Sequence, residues 1–393
     1  MLPLRDRHAI YDDRPAVSGD AADSSGVSFD TARRREARQK RDSAEILGQK
    51  GGGMSTAVAA RMRKTAFLAP LLLALVTGAC DKTKLNAADD SSAVEEVTIC
   101  QFSKVFLYLP LYIAVEKRFF ENEGVKVRLI NGGGDEKTFA TVASGQAQFG
   151  VADPTFAAIA REKGQPGTVV ASIVSGAPFW GVTKKASVPN ITEPSQLRGL
   201  RIATYTSPST NYTLMQKTLR EQAHDAPQAR IVQGAFGTLL PMLDADAADV
   251  AMELEPTVST ALAQGARIVY SYPQAYGAFL LTGLYTTEGY RDAHAKTIQK
   301  VVNGLSRALQ FAHTDRAGTI DVARKVFPEL GSNVVESAVN RMLDEKTIPQ
   351  DARIDPAAWN NAVRVRVEAG DLHSATAAVK TVDNSFAERA LQR

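Results

Sequence analysis

Residues 148–160 read QFGVADPTFAAIA, and the chain changes period inside them. An apolar run stops at Asp153-Pro154, and from Thr155 onward the apolar residues return at helical spacing. A carboxylate, a Pro and a Thr therefore stand where a buried strand gives way to a helix. The device returns at residues 250–265, VAMELEPTVSTALAQG, with Glu255-Pro256-Thr257 in the matching place. Proline has no N–H to leave unpaired and fixes φ, which suits the first position of a helix. The acid can accept hydrogen bonds from the next amides, as a helix cap does.

Around each triplet the same scheme repeats. In the first half VTIC, VKVRLI, QFGVAD and TVVASIV read as strands, separated by the helical runs LPLYIAVEKRFFENEG, DEKTFATVASG and PTFAAIAREKG. In the second, LRIATY, ARIVQG, ADVAMELE and ARIVYS alternate with SPSTNYTLMQKTLREQ, TLLPMLDAD and PTVSTALAQG. Strands alternating with helices predict an α/β protein with helices on the faces of its sheets. Aligning the two triplets brings the halves into register, which predicts two lobes of related design. Residues 176–185, GAPFWGVTKK, and 276–287, YGAFLLTGLYTT, read as two extended crossings between the lobes, and two crossings make a hinge. Residues 306–330 and the remaining C-terminal segment show helical periodicity without site chemistry, and are expected to form a packing layer on the first lobe.

The chain has 393 residues, 44% hydrophobic and 23% charged, with a net charge of +3. Residues 1–64 carry 13 basic and 9 acidic side chains, so the other 329 residues carry 33 and 34. A body this close to neutral lacks the basic face of a nucleic-acid binder. The five histidines (His8, His224, His294, His313, His373) and two cysteines (Cys80, Cys100) are scattered, with no metal-site or catalytic spacing. No cofactor or metal is expected.

The basic surplus belongs to the leader. Arg61, Arg63 and Lys64 precede eleven apolar residues, Ala66 to Val76, too few for a membrane span. Small residues then lead to Cys80, so residues 54–79 read as an export signal. Its TGAC end resembles a bacterial lipobox, which implies lipidation at Cys80 and, with Asp81 after it, retention at the inner membrane. Residues 1–53 have no place ahead of such a signal and read as a mis-called or disordered extension. Residues 80–95 read as a polar tether.

The body, about residues 95–393, resembles the type II periplasmic solute-binding proteins of ABC importers, and specifically the SsuA/THI5-like (NMT1-like) family. The marks are LPLYIAVEKRFFENEGVKV, GGGDEKTFATVASGQAQFGVADPTFAAIAREKGQP and VDNSFAERAL. The resemblance implies a two-lobed fold, each lobe a mixed sheet flanked by helices, with lobe 1 at 96–183 and 279–393 and lobe 2 at 184–278. It implies a monomer that captures a small-molecule solute in the cleft, delivers it to an inner-membrane permease and is no enzyme. Family members bind nitrate, taurine, alkanesulfonates or thiamine pyrimidine precursors. The competing readings are a ligand sensor for a signalling partner and, third, a THI5-like pyrimidine synthase, whose cysteine-rich motif is missing here.

In open α/β sheets ligands bind beyond the carboxyl ends of the strands. Asp153, Thr155, Ser175, Glu253 and Glu255 are candidates on that ground, as are the hydroxyls and amide of Thr206, Ser207, Ser209, Thr210 and Asn211 at a helix start. Tyr108, Trp180 and Tyr276 could supply flat apolar walls. Period-two alternation in VAMELE puts Glu253 and Glu255 on one side of the strand, with no obvious arginine to offset them. Two carboxylates in a pocket repel an anion, which predicts a neutral or amine-bearing organic ligand such as an aminopyrimidine. The triplet Gly132 to Gly134 follows a strand but lacks the Lys-Ser/Thr of a phosphate loop and is not a phosphate signature.

Overall fold

A computed structural model describes residues 11–15, 94–220 and 229–392. The export signal, Cys80 and the tether up to residue 93 lie outside the described residues, as does the rest of the 1–53 extension. Within that extension, β1 (Tyr11–Pro15) runs parallel to β3 (Val125–Asn131) at a sheet edge.

Two mixed sheets organise the body. The first has the order β1-β3-β2-β4-β11-β5, where β2 is Glu95–Gln101, β4 Phe149–Ala152, β5 Gly167–Ser175 and β11 Leu280–Thr287. The second has the order β10-β6-β9-β7-β8, where β6 is Trp180–Thr183, β7 Arg201–Tyr205, β8 Arg230–Gly234, β9 Val250–Glu253 and β10 Arg267–Ser271. Leaving β1 aside, the two orders are the same pattern. In each, three parallel strands are followed by one antiparallel strand and a last strand antiparallel to that. The antiparallel strand of each sheet, β11 or β6, is delivered by a crossing from the other sheet. Asp153 after β4 and Glu255 beyond β9 thus occupy equivalent places.

Residue patterns explain where strands sit. β3 alternates, with Val125, Val127 and Leu129 buried and Lys126 and Arg128 exposed, as one covered face requires. β4, β6 and β9 are buried at every position, as internal strands are.

Three expectations change. Trp180–Thr183 pairs with β9 and β10, so lobe 2 begins at 180 rather than 184; the aromatic and β-branched run is the antiparallel strand of the second sheet, and the crossing is only 176–179. The helix expected from Leu109 to Gly124 is broken. Leu109–Glu116 ends, Arg118 adopts a left-handed φ of 60°, and Phe119–Asn122 follows. The break turns buried Phe120 against Gly304 of helix Ala295–Thr314, where a β-carbon would collide with its ring. Finally, the C-terminal helices are more than a layer on the first lobe. Ser332–Asp344 packs on Thr257–Ala263 and Pro356–Ala369 on Thr210–Arg220, both of the second lobe. Periodicity marks which face of a helix is buried, and carries no information about which lobe buries it. Among the described residues no helix is long and apolar enough to cross a membrane.

Candidate functional site

A cavity of about 430 Å³ opens between the two sheets at their strand ends. Its wall includes Tyr108, Asp153, Thr206, Ser207, Ser209, Thr210 and Asn211 from the candidates, and excludes Thr155, Ser175, Trp180, Glu253, Glu255 and Tyr276. The size fits an organic molecule of modest mass. Ser207 to Asn211 come from the turn after β7 and the first residues of helix Thr210–Arg220, where backbone and hydroxyl groups face the gap because the helix starts there.

The excluded candidates have other work. Thr155 is buried behind Asp153, and the Ser175 amide donates to the Thr347 carbonyl. Trp180 is fully buried, its indole N–H donating to Glu345 at 2.9 Å. The Tyr276 hydroxyl bonds the Leu214 carbonyl at 2.7 Å and Thr218.

The two acids also separate. Asp153, 6% exposed, accepts from the Thr155 amide (2.8 Å) and hydroxyl (2.6 Å), from the Thr210 hydroxyl (2.5 Å) and from Arg366 Nη2 (2.8 Å). Arg366, 2% exposed, comes from helix Pro356–Ala369 and also donates to the Pro208 carbonyl, Thr155, Thr210, Thr213 and Asp371. One guanidinium therefore ties the first lobe's acid to the second lobe's helix start. Glu255, fully buried, accepts from the Ser259 amide (3.0 Å) and hydroxyl (2.9 Å) and from Arg341 Nε (2.7 Å). Burial raises the Glu255 carboxyl, and Ser259 and Arg341 pull it back. Both prolines stand as the residue before the helix, a position ahead of the expected one.

The expectation of a pocket holding Glu253 and Glu255 without an arginine is thus overturned. Strand β9 stops at Glu253, so alternation does not continue to Glu255, and Leu254 between them lines the cavity instead. Glu253, 1% exposed, takes the Tyr205 hydroxyl at 2.5 Å on Oε2, and its Oε1 has no partner. Burial pushes this carboxyl up to about 7, with the Tyr205 hydrogen bond opposing.

The wall residues that sequence reasoning missed come from the ends of neighbouring strands. Gly133, Gly134, Asp135, Glu136 and Lys137 follow β3, and Ala235 and Phe236 follow β8. The same strand-end rule that pointed to β4 and β9 applies to these strands. The glycines of GGG carry no phosphate signature, and the acid that follows them has no neighbouring proline to mark it as a helix start. Asp135 Oδ1 accepts the Asp153 amide at 3.0 Å. Burial, then the neighbouring Asp153 carboxylate, pushes Asp135 up to about 7, against the pull of that amide and Arg366. Phe102, Phe156, Phe179, Tyr205 and Phe236 give the aromatic surface. Phe236, 48% exposed, packs edgewise on Phe102 of the first lobe (6.1 Å between centroids) and at a tilt on Tyr205 of the second (5.4 Å). It thus spans the mouth. Among the described residues no group of three metal-ligating side chains gathers.

The sequence model of the NMT1/THI5-like family matches residues 106–317, more than half of the chain. No curated protein matches the sequence. Among solved structures, a protein of Bordetella bronchiseptica RB50 superposes with a TM-score of 0.61 at 21% identity, covering 77% of this chain and 98% of that one. The alkanesulfonate-binding protein SsuA from Xanthomonas axonopodis pv. citri, bound to MOPS, gives 0.55 at 17%, covering 75% and 97%. The desulfurization enzyme DSZB gives 0.58 at 14%, covering 76% and 99%. Identities this low establish a common fold, shared by a binding protein and an enzyme, and no ligand.

Proposed function

The chain belongs to the NMT1/THI5-like family, and on that premise we propose that it is a solute-binding receptor of an importer. In this reading it is exported, anchored through Cys80, and hands a small organic solute to a permease of the inner membrane. One observation carries the proposal: the cavity lies between matching strand ends of two sheets joined by two short crossings. A hinge there can open and close on a solute. Hydroxyls of Thr206, Ser207 and Ser209 supply adaptable hydrogen bonds and the aromatic rings supply apolar area, the composition of a small-molecule site.

The same wall favours a neutral or amine-bearing solute over nitrate or a sulfonate. Arg366 is paired with Asp153 and Asp371, which leaves Asp135 and Glu136 facing one lysine, Lys137. The binding reading is preferred to catalysis because the sulfonate- and nitrate-binding neighbours share the fold and its interlobe cleft. Cys100 is fully buried in β2, away from the cavity. Mass spectrometry of small molecules released on denaturing the purified chain, paired with small-angle scattering before and after adding them back, tests the proposal. A recovered organic solute that makes the body more compact supports it. No solute and no change in compactness with pooled nitrogen, sulfur and pyrimidine compounds refutes it.

A further inference from the structure

We propose that Thr210 is the keystone of a latch between the lobes, a positioning residue that sets how far the cleft stands open. The inference rests on the receptor reading and adds the contact that governs its hinge. The Thr210 hydroxyl, at the start of the second lobe's helix Thr210–Arg220, donates to Asp153 at 2.5 Å, directly across to the first lobe. The same oxygen accepts from Arg366 Nη2 at 3.0 Å. Asp153, Thr155, Thr210, Thr213 and Arg366 are all buried, so these bonds form away from water, where they are stronger than at a surface.

Arg366 divides its donors between the lobes. On the first it reaches Asp153 (2.8 Å) and Thr155 (3.1 Å), with its guanidinium over the Phe156 ring at 5.3 Å. On the second it reaches the Pro208 carbonyl (2.7 Å), Thr210 and Thr213 (3.4 Å). Its helix, Pro356–Ala369, packs on β11 and helix Thr155–Glu162 of the first lobe as well as on helix Thr210–Arg220.

The two sides are chemically unequal. Toward the first lobe Arg366 holds the Asp153 carboxylate, and Asp371, just beyond its own helix, gives it a second. Toward the second lobe its partners among the described residues are neutral oxygens. A buried ion pair is costly to split, whereas a bond to a carbonyl or hydroxyl is readily exchanged for one to water. Opening therefore parts the structure between the Arg366–Asp153 pair and Pro208, Thr210 and Thr213. The charges stay together on the first lobe, and the bonds that break are ones water can replace. Such a contact is a latch rather than a weld. Thr210 is its keystone because one hydroxyl bonds both charged partners across the parting line. A receptor whose closed form is only part of the population binds its solute more weakly by that fraction. Thr210 thus tunes capture through the spacing of the lobes.

The test is hydrogen exchange of the full chain with no solute added, read by mass spectrometry. Peptides covering 149–160 and 205–216 report the cleft, and helix Ala295–Thr314, which packs on the first lobe, is the control. The Asp153 and Thr155 amides are bonded to carboxylates in the cleft wall and exchange when it is wetted. Thr210→Val keeps the shape and removes the hydroxyl; the cleft peptides should exchange about tenfold faster or more, with the control within about twofold of the parent. Thr210→Ser restores the hydroxyl and should stay within about twofold of the parent throughout. Arg366→Lys keeps a charge beside Asp153 but cannot also reach Pro208 and Thr213, so the same peptides should speed up; this variant carries the test if Thr210→Val does not fold. Three results overturn the inference: cleft peptides unchanged in a folded Thr210→Val or Arg366→Lys chain; exchange raised equally in the control helix, the mark of lost stability alone; or Thr210→Ser as fast as Thr210→Val. Because no solute is present, each of these leaves the receptor reading standing. Recovery of no solute, with no compaction, removes the receptor reading whatever the exchange shows.

Discussion

Replacing Glu253 by Gln should stabilise the folded chain above neutral pH and change little near pH 5. Glu253 is buried at the end of β9; it takes the Tyr205 hydroxyl on Oε2, and its Oε1 has no partner. No ion pair reaches it among the described residues. The cost of burying its charge moves the carboxyl from 4.5 to about 7. The folded chain then holds a proton that the unfolded chain releases at its ordinary value. Stability from this group is full below about pH 4.5 and falls steadily to about pH 7. At about 1.4 kcal/mol for each tenfold change in acidity, the loss by pH 8 is on the order of 3 kcal/mol. Glutamine keeps an acceptor for the Tyr205 hydroxyl and has nothing to ionise. The variant should therefore melt several degrees higher than the parent at pH 8 and within about a degree or two of it at pH 5. Circular dichroism melts at half-unit steps across that range measure the difference directly. Two curves that run parallel from pH 5 to 8 would refute the assignment of a buried, unpaired carboxyl to Glu253.

Arg366→Met strands the Asp153 carboxylate in the cleft wall and should cost about 3–5 kcal/mol by denaturant titration. Arg366→Lys should recover less than half of that, because an ammonium cannot span Asp153, Pro208, Thr213 and Asp371 together. Arg341→Ala removes the cation paired with fully buried Glu255; its loss of melting temperature should be larger at pH 8 than at pH 5, where Glu255 can take up a proton, and equal losses would count against the pairing. Phe236→Ala, at a side chain 48% exposed, should change stability by less than about 1 kcal/mol while weakening solute binding at least fivefold in calorimetry.

The fold was largely legible because its signals are local. Alternation in β3, the apolar runs of β4 and β9, and an acid-proline pair after each need only neighbouring residues to be read. The shared strand order of the two sheets then gives the repeated triplets a structural meaning, since Asp153 and Glu255 follow equivalent strands. The site was legible in part. The 206–211 stretch announced itself by its density of hydroxyls at a helix start. Asp135 follows β3 as Asp153 follows β4, but three glycines separate it from the strand and blur the strand-end signal.

What stayed hidden depends on distance along the chain. Arg366 lies 213 residues from Asp153, and Arg341 86 from Glu255. Nothing in NAVRVRVEAG says which of Arg364 and Arg366 turns inward, because both alternate with valines and only two residues, a little over half a helical turn, separate a 2% exposed guanidinium from a solvated one. That concealed geometry changes the electrostatic argument. The triplet acids, which look like the charge of the cleft, are each neutralised by an arginine from the C-terminal helices. They hold the lobes' helix starts together and contribute little net field to the cavity. With those two cancelled, the sign of the cavity passes to Asp135 and Glu136 against Lys137. The preference for an amine-bearing solute therefore rests on different carboxylates from those that first suggested it, and it stands or falls with Asp135.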